Sequence, residues 1–238
     1  MITGAQGRLG SELKKLYPKA HCPVFEIREW TDLSRIFKEC EPDIVIHCAA
    51  MTNVGECEKH PWACYDINVL GTAGIVEFCE VYDSKLVYIS TDHVFDGEKG
   101  MYKETDIPNP TSMYAKSKLM GEWFTLTNPK NLVIRTSFMK DFPFKKAYTD
   151  KMFNAEKVGT IAKMVKKAVD MNLTGLYHIA GKPKTVFDLA RKFNPKVEPM
   201  CLVERPTNDI GMKYLKDTTM DISKWENAKR TYRRKHKL

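Results

Sequence analysis

Short apolar runs rich in β-branched or aromatic residues alternate along this chain with stretches of helical periodicity, and that alternation limits the fold more than any other feature. The runs are 1–3, 24–27, 43–47, 85–89, 131–135 and 176–179. Between them Leu9, Leu13 and Leu16 keep helical spacing up to Pro18, and the same spacing recurs over 33–40, 65–82, 113–126 and 155–171. Strands that are apolar at nearly every position must be covered on both faces, and the intervening helices supply the cover. The pattern predicts a doubly wound, Rossmann-type α/β fold with a parallel sheet. At 238 residues there is room for one large domain with a small C-terminal lobe.

In such a sheet, ligands bind beyond the carboxyl ends of the strands. The segments that carry chemistry fall there. T-G-A-Q-G-R-L-G at 3–10 follows the first run, A-A-M-T at 49–52 follows the run at 43–47, S-T-D at 90–92 follows 85–89, and R-T-S-F at 135–138 closes 131–135. Gly4, Gly7 and Gly10 permit a tight turn, close approach of a pyrophosphate to the backbone, and close packing of helix on strand. The free N–H groups at the start of the following helix then face that pyrophosphate.

Y-A-K-S-K at 114–118 places Tyr114 and Lys118 one helical turn apart, on one face. A cation near a phenol lowers its pKa, which would make Tyr114 a proton donor or acceptor near neutral pH, with Thr91 orienting a substrate carbonyl. The combination predicts a carbonyl-reducing enzyme. His93 reads as a packed loop residue.

The formal net charge is +8, but Lys229, Arg230, Arg233, Arg234, Lys235 and Lys237 crowd the last ten positions with no acid among them, leaving +2 for the rest. Those positions read as a solvated basic tail, and the nearly neutral remainder argues against nucleic acid as partner. No run of eighteen apolar residues or secretory leader occurs, so no membrane segment and a cytoplasmic location are expected. The seven cysteines include no C-x-x-C pair. They are expected to be reduced thiols, mostly in the core, with neither a disulfide framework nor a metal site.

The spacing G-x-x-G-x-x-G together with Y-x-x-x-K resembles the extended short-chain dehydrogenase/reductases. Within them the chain is similar over most of its length to the dTDP-4-dehydrorhamnose reductase family. Beside the opening, the resemblance rests on E-I-R-E at 26–29, A-A-M-T-N-V at 49–54, N-V-L-G-T at 68–72, S-T-D-H-V-F-D-G at 90–97 and E-T-D at 104–106. Pro110 and Y-A-K-S-K-L-M-G-E at 114–122 complete it. It implies Thr91, Tyr114 and Lys118 as catalytic residues and Thr91, Asp92 and Phe138 as substrate contacts. The implied cofactor contacts are Gly4, Gly7, Arg8, Leu9, Gly10, Glu26, Ile27, Ala49, Ala50 and Met51, with Tyr114 and Lys118. The family usually has Trp at the Phe138 position; Phe keeps the apolar platform and loses an N–H donor. Arg8 and Arg28 tip the cofactor toward NADPH over NADH, against the pull of Glu26 and Glu29.

The implied function is NAD(P)H-dependent reduction of a nucleotide-linked 4-keto-6-deoxy sugar, with a homodimer left open. Two departures are visible. The family carries several apolar residues before its Thr-Gly, so the first strand, expected to be central, is a stub here. Residues 140–151 replace a longer stretch of the sugar-binding lobe. These departures motivate the alternative of a non-catalytic NAD(P)-binding regulatory subunit resembling the methionine adenosyltransferase β subunit; a nucleotide-sugar epimerase or dehydratase would use the same residues. The expected layout is a dinucleotide-binding unit over 1–138, a reduced lobe with returning elements over 139–228, and the basic tail at 229–238. Thr185 is the expected N-cap of a helix reaching Phe193. R-P at 205–206 and D-x-S-K at 221–224 match the family's closing elements.

Overall fold

The computed structural model describes residues 1–204, 207, 211, 212 and 214–236. In chain order the first part comprises β1 (Ile2–Thr3), α1 (Arg8–Leu16), α2 (Trp30–Cys40), β2 (Ile44–His47), α3 (Val54–Lys59), α4 (Pro61–Tyr65), a π-turn (Asp66–Leu70) and α5 (Gly71–Val81). Then come β3 (Lys85–Thr91), a single 3-10 turn (Asp92–Val94), α6 (Met113–Leu126) and β4 (Leu132–Thr136). The second part comprises β5 (Phe138–Met139), β6 (Lys146–Tyr148), β7 (Met152–Phe153), β8 (Glu156–Lys157), α7 (Val158–Asp170) and β9 (Gly175–His178). It ends with β10 (Lys184–Thr185), α8 (Val186–Ala190), β11 (Glu198–Met200) and α9 (Ser223–His236).

The central sheet is parallel, in the order β1-β2-β3-β4-β9. Successive strand residues serve opposite faces, as the period-two rule requires. Ile46, Val87, Ile89, Leu132 and Ile134 pack with Leu9 and Leu13 of α1, Ile161 and Val165 of α7, and Trp225 of α9. Val45 and Leu86 point the other way, against Leu33 and Phe37 of α2 and Ile75, Val76 and Cys79 of α5. Val158, Ile161, Val165 and Val169, the apolar stripe of the periodic stretch at 155–171, are all buried.

The run at 24–27 is not a strand. β1 is two residues long, and its Met1 and Thr3 carbonyls already serve β2. On the far side only Ile2 N–H reaches out, to the His21 carbonyl at 2.9 Å. With Pro23 lacking a donor and Val24 82% exposed, no ladder holds this segment in register, and Phe25 and Ile27 reach the core without one. β1 is therefore the edge of the regular sheet and not its centre.

The helix expected over 65–82 is broken by the π-turn at 66–70, whose extra residue per turn sets Asn68 inward. Thr185 does cap α8, in a capping box with Asp188, but the helix stops at Ala190. The basic stretch expected as a free tail is helical through His236. Buried Trp225 anchors that helix, and Arg233, Arg234, Lys235 and His236 in its last turn favour the dipole's negative end. Lys237 and the R-P pair at 205–206 lie outside the described residues. The cysteines are free thiols; Cys57, Cys64 and Cys79 are buried, Cys22, Cys40 and Cys48 partly so, and Cys201 is exposed. No helix among the described residues is long and apolar enough to cross a membrane.

After β4 the chain leaves the sheet and builds three two-stranded ladders, β5 with β8, β7 with β10, and β6 with β11. Ala147, Phe153, Val186, Leu189 and Val197 form their small separate core. These ladders wall one side of the crevice beyond the strand ends.

Candidate active site

The β3–β4 register sets Thr91 beside Thr136 at the carboxyl edge of the sheet. The next residues on each strand, Asp92 and Ser137, continue the same wall. Here lies a cavity of about 560 Å³, bounded by Gly4, Gly7, Arg8, Leu9 and Gly10 on one side and by Thr91, Tyr114 and Lys118 on the other. Ala50 also lines it, as do Thr52, Asn53 and Val54 of the A-A-x-T-x-V segment. A second cavity of about 530 Å³ lies under the ladders, and the two share Asp92, His93, Ser137 and Phe138 as a common wall.

The glycine turn is tight for a steric reason. Gly4 has φ +63°, and a Cβ on Gly10 would fall 2.2 Å from the Gly4 carbonyl oxygen. Gly7 caps α1 without a side-chain bond, and the first bond back into the helix runs from Ser11 N–H to the Gly7 carbonyl. The N–H groups of Arg8, Leu9 and Gly10 are thus free at the positive end of the dipole, beside the cavity. Opposite them, the buried Thr136 hydroxyl has no hydrogen-bond partner among the described residues. A cradle no Cβ can enter, unpaired N–H donors and an orphan hydroxyl fit a dinucleotide with its pyrophosphate on α1.

Four expected cofactor contacts line neither cavity. Glu26 is exposed and paired with Arg28 at 2.9 Å. Ile27 is buried against α5, where a Cβ on Gly71 would meet it at 2.7 Å. Ala49 and Met51 act through their backbones, Ala49 N–H donating to Thr3 Oγ1 at 3.3 Å and Met51 N–H to Asn68 Oδ1 at 2.7 Å. Asn68 Nδ2 donates in turn to the Met51 carbonyl and to Ser117 Oγ, both at 2.9 Å. The π-turn therefore ties the loop after β2 to the helix that carries Tyr114 and Lys118.

That helix, α6, is capped by Ser112, whose hydroxyl accepts from Ala115 N–H. It lies close on β3 because residue 121 is glycine; a Cβ there would fall 2.2 Å from the Tyr88 hydroxyl oxygen. Lys118 Nζ sits 4.0 Å over the Tyr88 ring rather than against the Tyr114 phenol. Burial pushes the Lys118 ammonium down to about 8. Burial also raises the Tyr114 phenol above its usual value, opposed by a hydrogen bond from Thr91, with nearby Asp92 adding to the rise. The expectation of a phenol acidified by Lys118 is thus reversed: desolvation outweighs the cation, and Tyr114 keeps its proton at neutral pH. His93 packs edge-on to the Tyr114 ring at 6.3 Å.

Beneath the cavity floor, Arg135 and Glu122 form a buried bidentate pair, with Nη2 to Oε2 at 2.7 Å and Nε to Oε1 at 2.9 Å. Ser90 Oγ donates to Glu122 Oε1 at 2.5 Å. Beside them, buried His47 has Nδ1 2.7 Å from Thr3 Oγ1 and Nε2 3.1 Å from Thr72 Oγ1. The Thr72 hydroxyl donates to the Asn68 carbonyl, so Nε2 carries a proton, and in the neutral ring Nδ1 then accepts from Thr3.

A family model described as the RmlD substrate binding domain matches residues 1–158. The chain belongs to the RmlD substrate binding domain family. It is 38% identical over 149 residues to the dTDP-4-dehydrorhamnose reductase of Aggregatibacter actinomycetemcomitans, covering 58% of this chain and 50% of that protein. It is 34% identical over 142 residues to methionine adenosyltransferase 2 subunit beta of Bos taurus, covering 54% and 42%. The chain thus spans half or less of the length of these relatives. Among solved structures, that of dTDP-4-dehydrorhamnose reductase from Bacillus anthracis in complex with NADP superposes with a TM-score of 0.83 at 26% identity, over 95% of this chain and 91% of that one.

Proposed function

We propose that this protein is an NADPH-dependent reductase of a nucleotide-linked 4-keto-6-deoxy sugar, acting as a dTDP-4-dehydrorhamnose reductase. The observation that carries the proposal is the placement of Thr91, Tyr114 and Lys118 around one cavity that shares the wall Asp92, His93, Ser137 and Phe138 with a second. In this reading residues 1–138 hold the cofactor and most of the chemistry, and the ladders of 139–228 close over the sugar. Reduced nicotinamide, when bound, supplies the hydride.

Tyr114, protonated because it is buried, gives its proton to the sugar's C4 oxygen, and the Thr91 hydroxyl fixes that oxygen in line. Lys118, whose ammonium burial makes easier to deprotonate, would hold the nicotinamide ribose hydroxyls and help replenish the proton that Tyr114 gives up. The N–H groups of Arg8, Leu9 and Gly10 take the pyrophosphate. Arg8 faces the cavity while Glu26 and Arg28 neutralise each other, which favours NADPH over NADH. The complete set of Thr91, Tyr114 and Lys118 weighs against a retired, purely regulatory subunit, which has no chemical need of it.

Loss of NADPH absorbance on mixing with dTDP-4-dehydrorhamnose tests the proposal. The expected Tyr114→Phe rate is lower by about 10²-fold or more, the usual worth of a positioned proton donor. Equal, background rates for both proteins would refute it.

A further inference from the structure

The second cavity holds a lysine whose ammonium has no hydrogen-bond acceptor among the described residues. Its walls are largely aromatic, with Phe142, Phe144, Tyr148 and Tyr214 facing Phe138. Lys145 and Lys146 on its rim are exposed, whereas Lys151, just before β7, is drawn inward. Lys151 Nζ lies 4.6 Å from the Tyr214 ring centroid, and no acceptor among the described residues takes its N–H groups. The carboxylate that influences it is Asp92, but both Asp92 oxygens are engaged, one by Thr91 Oγ1 at 3.2 Å and the other by Thr218 Oγ1 at 2.8 Å. Desolvation lowers the Lys151 ammonium to about 8, with Asp92 only partly offsetting it. A desolvated ammonium without hydrogen-bond partners is costly to keep unless a ligand completes it.

Position and chemistry name the ligand group. A pyranose that presents its C4 oxygen to Tyr114 and Thr91 turns C1, across the ring, toward the second cavity. The group on C1 of a nucleotide sugar is a phosphate. A sugar hydroxyl would occupy one of the three ammonium donors and leave the charge uncancelled; phosphate oxygens accept several and neutralise it. The aromatic walls exclude water and so strengthen that pairing.

We propose that Lys151 binds the phosphate on the anomeric oxygen of the substrate, an inference that rests on the nucleotide-sugar reading above. A sugar monophosphate and a nucleoside diphosphate sugar share this chemistry, so the probes are glucosyl phosphate and dTDP, with glucuronate as the carboxylate control. Calorimetric titration of the NADPH-saturated full chain compares wild type with Lys151→Met and Lys151→Arg.

The expected result is dTDP affinity weaker by at least about tenfold in Lys151→Met, about 1.4 kcal/mol, with NADPH affinity unchanged and Lys151→Arg retaining most of the dTDP binding. If glucosyl phosphate shows the same loss, the sugar-side phosphate suffices; if dTDP alone does, the diphosphate is required, and either supports the site. Equal dTDP affinity in wild type and Lys151→Met, no dTDP binding by wild type, or a loss confined to glucuronate overturns it.

Should Lys151→Met fail to fold, amine acylation of wild type decides. Saturating dTDP should shield Lys151 from the reagent, and unchanged labelling overturns the site. Turnover that proceeds while dTDP binding ignores Lys151 defeats this inference alone. Lys151-dependent dTDP binding without turnover defeats the reductase reading and leaves the phosphate site standing.

Discussion

Acid should destabilise this protein in a pH range where its carboxylates are still silent. His47 and His178 are fully buried, and burial lowers each from 6.5 to about 3. The hydrogen-bond pattern supports this independently. A neutral His47 ring protonated on Nε2 satisfies both of its threonines. His178 lies between the Asp221 carbonyl at 3.2 Å and the Arg135 guanidinium at 3.5 Å, which requires an unprotonated Nε2.

The folded pKa values lie below the unfolded ones, so the stability these rings contribute is complete above pH 6.5 and drains away as pH falls toward 3. At about pH 5 each ring costs roughly 1.36 kcal/mol per unit times 1.5 units, about 2 kcal/mol, so the pair costs about 4 kcal/mol. That is a large fraction of the roughly 5–15 kcal/mol typical of a domain. Hydrogen-bonded carboxylates such as Asp96 and Asp221 have values lowered from 3.8 and contribute only below that range.

Urea unfolding followed by tryptophan fluorescence, between about pH 7 and pH 5, measures the loss directly. His47→Asn should be less stable at neutral pH but should show a shallower pH slope, because one of the desolvated rings, which include His178 and His93, is gone. A wild-type unfolding free energy that is flat over this interval would refute the reasoning, and so would an unchanged slope in the variant.

Two substitutions probe the frame of the site. Glu122→Gln strands the Arg135 guanidinium in a buried position and should cost about 3–5 kcal/mol, read as a lower urea midpoint or loss of soluble protein. Gly121→Ala drives a methyl into the fully buried Tyr88, whose ring supports Lys118. A loss of about 1–3 kcal/mol is expected, together with weaker NADPH binding by fluorescence titration.

The sheet was legible because its strands are apolar on both faces: the runs at 43–47, 85–89, 131–135 and 176–179 each yield a strand to within two residues at either end. α6 matches the expected 113–126, since Ser112 caps it and Tyr114, Lys118 and Gly121 have fixed places on it. The run at 24–27 shows the limit of propensity. A strand needs a partner, and a two-residue β1 offers one hydrogen bond. The π-turn carries no periodic signal, yet it places Asn68, which joins the two halves of the site. Lys151 was illegible for a different reason: Asp92, Thr218 and Tyr214, which make its surroundings, lie far from it in sequence. The sign of the Tyr114 shift likewise depends on desolvation, a property of the folded cleft that a Y-x-x-x-K spacing cannot carry.

The role proposed for Tyr114 and Lys118 is to serve a hydride transfer to the C4 carbon of a nucleotide-linked sugar. Turnover of dTDP-4-dehydrorhamnose with NADPH deuterated at the transferring carbon, analysed by mass spectrometry, tests it most directly. Deuterium is expected at C4 of the reduced sugar in step with release of oxidised cofactor, and neither with Tyr114→Phe. A wild-type product without the label, or sugar returned unreduced while the cofactor stays bound, would contradict it.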